Sequence, residues 1–222
     1  VVLRRQAYQV KGLYAGQVRI LEPSGDRTGI YKEPVTRVAV GKLGIDCDVQ
    51  VDKRYHGGHD KALHQFAINS YARIIEQFPE LADTAVPGSI GENLTIPEMD
   101  EYSVCIGDIY RLGGVTVQVS EPRQPCWKIN AKYGVEQLSE FIDLQGMAGW
   151  YYRVLEEGII NVGDEAALLE QPNKNITIDY FNKVKRQGRP AVEELNILIN
   201  ATGLADGLKN RLQERKNYLN GQ

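Results

Sequence analysis

The stretch Ile109-Tyr-Arg-Leu-Gly-Gly-Val-Thr-Val-Gln-Val-Ser-Glu-Pro-Arg-Gln-Pro-Cys126 decides how this chain is read. Two β-rich runs flank Gly113-Gly114, a pair that reads as a two-residue hairpin loop. The second run, Val115 to Val119, alternates apolar and polar residues at the strand period. It carries the chain to a rim. There Pro122 and Pro125 fix φ and remove N–H donors, so neither sheet nor helix continues into Cys126. Arg123 and Lys128 place two cations within a few residues of the thiol. Nearby positive charge favours thiolate, which is both the nucleophile and the metal ligand. The residues alone leave those two roles open, beside burial as a small apolar group.

Outward from this hairpin, short β-rich runs recur: 17–21, 35–40, 63–68 and 93–96, punctuated by Gly-containing turns such as Gly107-Asp108 and Gly163-Asp164. One helix is predicted over 69–78, with Asn69 as its cap and Pro79 ending it, and a second over 135–144. Many short strands with few helices predict a mainly β chain with some α, built as a barrel-like domain over 1–170 and not as a doubly wound sheet. After residue 172 the pattern turns helical, with segments at 176–185, 190–201 and 205–219. None is long enough to stand alone in water, so 171–222 is predicted to be a small three-helix unit.

The composition is that of an ordinary globular protein, with a net charge of −3. The charge is uneven: from Pro172 onward nine Lys or Arg face five Asp or Glu, net +4, whereas the remainder carries 17 against 24, net −7. A solvated helix face is the plain reading of that basic tail; a surface for nucleic acid or a partner protein is the alternative. The apolar runs are short, with no secretory or membrane-spanning segment. Three widely spaced cysteines, Cys47, Cys105 and Cys126, form no disulfide framework and suit a reducing cytoplasm. Three thiols also cannot supply an all-cysteine iron–sulfur site.

All three histidines fall in His56-Gly-Gly-His59-Asp-Lys-Ala-Leu-His64. A zinc site is one reading, but the glycines indicate a loop and the spacing fits no helical zinc motif. An anion cradle is another: Gly57 and Gly58 let backbone approach a ligand, with Arg54, His56 and Lys61 as side-chain donors. A solvated turn is the third. Gly91-Glu92-Asn93 reads as an ordinary loop leading into a strand. Trp150 reads as core, and Trp127 as either a wall for a flat ligand or an anchor for its loop.

Four segments together resemble one family: residues 51–64, Gly91-Glu-Asn-Leu94, Gly107-Asp108 and Ser120-Glu-Pro-Arg-Gln-Pro-Cys126 look like a MOSC domain, the module at the C-terminus of molybdenum-cofactor sulfurases. Their order, followed by a helical tail, is similar to the stand-alone YiiM-like branch, over nearly the whole chain after about residue 15. The resemblance implies a partly open β-barrel holding the molybdenum cofactor (molybdopterin), with Cys126 as the protein ligand to the metal. It further implies that Arg54, His56, Gly57, Gly58, Lys61, Glu92, Asn93 and Arg123 bind the cofactor. At the level of the domain family there is also an association with pyridoxal phosphate binding. His59 and His64 depart from the family pattern.

The branch implies a reductase of N-hydroxylated substrates such as hydroxylaminopurine-type bases; Cys126 and His56 are the catalytic candidates, with His56 read as the proton donor because imidazole titrates near neutral pH. The chain has no Gly-x-Gly-x-x-Gly fingerprint, so electrons are expected from a separate flavin or iron–sulfur protein. A homodimer is compatible with the sequence. Sulfur transfer through Cys126, or a cofactor-carrier role, is the alternative function.

Overall fold

The computed structural model describes residues 7–52 and 56–221. Its strands are β1 (Ala7–Gln9), β2 (Gly12–Ala15), β3 (Arg19–Leu21), β4 (Asp26–Thr28), β5 (Glu33–Val35), β6 (Arg37–Gly41), β7 (Gly44–Ile45), β8 (Leu63–Gln65), β9 (Leu94–Thr95), β10 (Ile109–Leu112), β11 (Val115–Pro122), β12 (Trp150–Glu156), β13 (Gly158–Asn161) and β14 (Glu165–Glu170). Nine of them form one curled half-barrel sheet in the order β1-β14-β10-β11-β12-β8-β9-β2-β5. β1 and β2 are consecutive pieces of one stretch. Between them, Val10 donates to the Asp164 carbonyl and Lys11 to the Thr95 carbonyl, both at 2.9 Å. A single stretch thus touches both far sides of the sheet and curls it.

The hairpin forms as the sequence predicts, with Leu112 opposite Val115 and Ile109 opposite Gln118. β11 runs on to Pro122, and all eight of its residues are buried. Polar side chains at the alternate positions therefore do not face solvent, because the outer face of the strand is covered too. The cover is the C-terminal segment: α4 (Ile178–Arg186), α5 (Val192–Ile199) and α6 (Asp206–Asn220). Phe181, Val184, Leu195, Leu198, Leu208 and Leu212 share one hydrophobic cluster with Val115, Val117, Val119, Trp150 and Tyr152. Full burial of such a side chain stabilises by about 1.5–3 kcal/mol, so the shared face outweighs the weak intrinsic stability of three short helices. Trp150 is core, as expected.

Some local expectations shift. Residues 35–40 do not make one strand: β5 ends at Val35 in the large sheet, and β6 pairs instead with β13 and β7. Pro34 fits because β5 is an edge strand. The run 63–68 splits after Gln65, and α1 (Ile68–Gln77) starts at once. Asn69 lies inside its first turn, and Ala67 occupies the cap without a side-chain bond. Proline 79 begins a short 3-10 turn, Pro79–Leu81. α2 (Lys128–Tyr133) begins two residues after Cys126, with Trp127 at its N-cap, and α3 (Leu138–Gln145) ends on Gly146 in the left-handed region. In the tail, Thr177 caps α4 by accepting the Tyr180 N–H at 3.0 Å.

Gly107 ties barrel to tail. Its φ is +82°, and a Cβ there would lie 2.1 Å from the Thr202 carbonyl oxygen, a backbone atom that cannot step aside. Beside it the buried Asp108 carboxylate accepts from the Cys105 N–H at 2.9 Å, the Tyr110 hydroxyl at 3.2 Å and the Gln171 amide at 3.3 Å. Gly107→Ala is therefore expected to cost more than about 1 kcal/mol in urea unfolding. Because core is shared, barrel and tail should unfold in one transition; two separated transitions would count against a common core.

Candidate functional site

β11 ends at the rim, and the loop after it lines a cleft of about 650 Å³, open to solvent, together with the 48–52 loop, the turn before β9, and Tyr151 of β12. Arg123 is the first loop residue beyond the strand. Its N–H donates to the Gly149 carbonyl at 3.0 Å, which fixes the backbone. The side chain is 7% exposed, and Nη2 donates to the Ile90 carbonyl at 3.4 Å. Nη1 is buried and, among the described residues, has no hydrogen-bond partner. A buried unpaired donor costs free energy, so a ligand oxygen at this wall would be favoured.

Cys126 is partly exposed and lines the cleft. Its carbonyl accepts the Ile129 N–H at 2.9 Å, so the turn into α2 holds it in place. His56 stands across the cleft with Nδ1 3.2 Å from the Tyr151 hydroxyl. Burial, then the nearby Arg123 and Lys61, push its pKa from 6.5 down to about 4, leaving the ring neutral at pH 7. Lys61 closes a 3-10 turn, His59–Lys61; its ammonium is 3.2 Å from the Glu121 carboxylate and 5.7 Å from the Tyr151 ring centre.

The other expected site residues divide. Asn93 lines the cleft; its Oδ1 accepts the His64 N–H at 3.1 Å, and its Nδ2 donates to the Tyr14 carbonyl at 3.2 Å and Asp48 at 3.0 Å. Glu92 lies behind the wall, fully buried. It accepts from the Tyr71 hydroxyl at 2.5 Å and the N–H groups of Gly88 at 2.6 Å and Ile90 at 3.2 Å, and so shapes the turn carrying Ile90 and Asn93. Gly58 opens the 3-10 turn with φ +98°, but neither Gly57 nor Gly58 lines the cleft; His56 and Lys61 on either side do. Arg54 lies outside the described residues. The histidines do not converge: His59 is exposed, and His64 is buried with Nε2 3.1 Å from the Ala148 carbonyl. Among the described residues no three His, Cys, Asp or Glu side chains gather to hold a metal ion, so the zinc alternative has no ligand set there.

Three cleft residues carry no sequence signal of their own. Lys32 and Asp48 form an ion pair with each side chain 5% exposed, and Asp48 also accepts the Gly16 N–H at 2.7 Å. Burial lowers the Lys32 pKa while Asp48 opposes that shift. Tyr151 arrives from a run that reads as core aromatics. Lys32, Lys61, Arg123 and Lys128 face Asp48 and Asp52 among the described lining residues, so the cleft is net positive in an acidic chain. It fits an anionic ligand, with one soft thiol donor at its edge.

The electrostatics give a sharp expectation. Because the folded pKa of His56 lies below its unfolded value, its contribution to stability is complete above about pH 6.5 and declines as pH falls toward 4. NMR titration should find the ring neutral down to about pH 5, and Arg123→Gln should raise its pKa; an unshifted value near 6.5 in the parent protein would contradict the geometry.

Residues 52–167 match the MOSC domain family. The protein YflK of Bacillus subtilis is 32% identical over 220 residues, covering 98% of both chains. YiiM of Escherichia coli is 28% identical in sequence over 92% of this chain and 91% of its own. Its crystal structure superposes with a TM-score of 0.81 at 25% identity, covering 98% of this chain and 94% of that one. A longer protein of Gibberella moniliformis named as a reductase is 36% identical over 86% of this chain, which spans 34% of that protein. The half-barrel, the rim cysteine and these matches together make the chain a member of the MOSC domain family.

Proposed function

We propose that this chain is a molybdenum-cofactor-dependent reductase of N-hydroxylated substrates, such as hydroxylaminopurine-type bases. MOSC domains are associated with molybdenum-cofactor binding, and the fungal relative named as a reductase fits an oxidoreductase. One observation carries the reading. A partly exposed Cys126 thiol shares a cleft with Arg123, whose buried Nη1 has no hydrogen-bond partner among the described residues. A metal-bearing anion satisfies both: thiolate for the metal and guanidinium for an oxygen. Cys126 would ligate the metal, and Arg123, Lys61 and Asn93 would hold the anionic carrier. When bound, the cofactor supplies a two-electron redox centre suited to removing oxygen.

The protein's own part is binding, orientation and proton handling. Cleavage of the N–O bond consumes two electrons and two protons and gives amine and water. The His56–Tyr151 pair, at 3.2 Å, can hold the substrate hydroxyl and pass a proton through the neutral imidazole. Burial is the main cause of the low His56 pKa; Arg123 and Lys61 add to it, and an anionic ligand that neutralised them would lift only their share. The electron donor in this reading is a separate flavin or iron–sulfur protein, since the sequence carries no Gly-x-Gly-x-x-Gly run that would suggest a dinucleotide site.

Metal and pterin analysis after expression in a cofactor-competent host is the direct test. The parent protein should retain both, Cys126→Ala should lose the metal, and Arg123→Gln should weaken retention by about tenfold. Equal molybdenum in parent and Cys126→Ala would defeat the assignment. Turnover of an N-hydroxylated base should need an added reductase; turnover by the purified chain with a nicotinamide donor alone would remove that partner.

A further inference from the structure

A second, wider cleft of about 1580 Å³ is continuous with the first, sharing Asp52, His56, Lys61, Cys126, Lys128 and Tyr151 with it. It is walled on one side by the Cys126 loop and on the other by the C-terminal helices, through Phe181 and Lys185 of α4 and Leu208 and Arg211 of α6. The helical tail therefore builds part of a cavity beside the Cys126 thiol, in addition to covering β11.

The lining has two kinds of surface. Trp127, adjacent to Cys126, is 51% exposed although indole is among the most costly groups to leave in water. It offers a flat apolar face. Among the described lining residues Lys61, Lys128, Lys185 and Arg211 stand against Asp52 and Glu121, net positive in a chain of net charge −3. Lys185 is half-buried and, among the described residues, forms no ion pair. Burial lowers its pKa, and Arg186 and Arg211 lower it further against the pull of Asp143, so a nearby anion would stabilise it. Arg211 is 3.8 Å from Glu121 with its side chain 63% exposed, so most of its donors remain open. Glu121 is shared with Lys61, so its charge is divided between two cations.

We propose that this cleft takes the substrate in nucleotide form, with the base along Trp127 beside Cys126 and the phosphate between Lys185 and Arg211. The proposal rests on the reading that the narrower cleft holds the cofactor. It gives the helical tail a specificity role: the tail selects phosphorylated over free bases. An arginine fork and an ammonium suit a phosphate, and an exposed indole suits any purine or pyrimidine face.

Adenosine monophosphate, adenosine and inorganic phosphate serve as unreactive probes, followed by calorimetry and tryptophan fluorescence on the cofactor-loaded protein. The monophosphate should bind about tenfold or more tightly than adenosine and than inorganic phosphate, and should quench an emission that is lost in Trp127→Phe. Lys185→Gln and Arg211→Gln should each remove most of that preference while molybdenum content stays at the parent level. Equal binding of nucleoside and nucleotide, or of phosphate and nucleotide, would overturn the proposal. So would loss of molybdenum in either variant, which would place those cations on the cofactor. The two readings fail separately. A parent protein without molybdenum that still prefers the nucleotide refutes the cofactor reading alone, whereas a molybdenum-loaded protein without the preference refutes this one.

Discussion

Burial of β11 on both faces is the constraint on which this structure depends. Its inward residues fill the half-barrel, and its outer face is covered by α4 and the helices that follow. A strand so placed cannot shift register without exposing apolar surface on one side or the other. Its C-terminal end is therefore fixed, and the residues beyond it are placed with similar certainty. Arg123 enters the interior with its backbone bonded to Gly149, and three residues later the chain turns into α2, leaving Cys126 at the cleft edge.

A rigid rim explains how uncompensated positive charge survives there. Burying a guanidinium whose Nη1 has no partner among the described residues is costly, and the packing of β11 against both its layers offsets that cost. Burial, reinforced by the same charge, lowers the pKa of His56 and His64, so both imidazoles stay neutral. Asp48 offsets Lys32, and Glu121 is divided between Lys61 and Arg211, yet the balance in both clefts stays positive. The site is preorganised for an anion in a protein whose overall charge is negative. Glu92 serves that order from behind the wall, where three donors hold its carboxylate and shape the turn that presents Asn93.

Local sequence was a good guide wherever local physics decides. The Gly113-Gly114 hairpin, the helical tail and the burial of Trp150 follow from φ restriction, strand periodicity and apolar spacing, whereas β11 runs three residues past Val119 and keeps Pro122 paired with Trp150. The very short strands, such as β7 and β9, carry no period that two residues could show. β5 and β6 read as one run because nothing within 35–40 signals that the two halves join different sheets. Cys126, Arg123, His56 and Lys61 were legible as a chemical set, since thiol and cations crowd two short stretches. Lys32, Asp48 and Tyr151 were not, because their meaning lies in partners far along the chain.

The sequence by itself determined the β-rich class, the basic helical tail and the rim cysteine, because these rest on the conformational limits of proline and glycine and on the period of apolar residues. Only tertiary structure decided that the tail shares the barrel's core and walls a cleft beside Cys126, that Gly57 and Gly58 stand outside the narrower cleft while His56 and Lys61 line it, and that His56 is neutral at pH 7. Burial and the sum of neighbouring charges set those properties, and both arise from residues brought together across long separations in the chain.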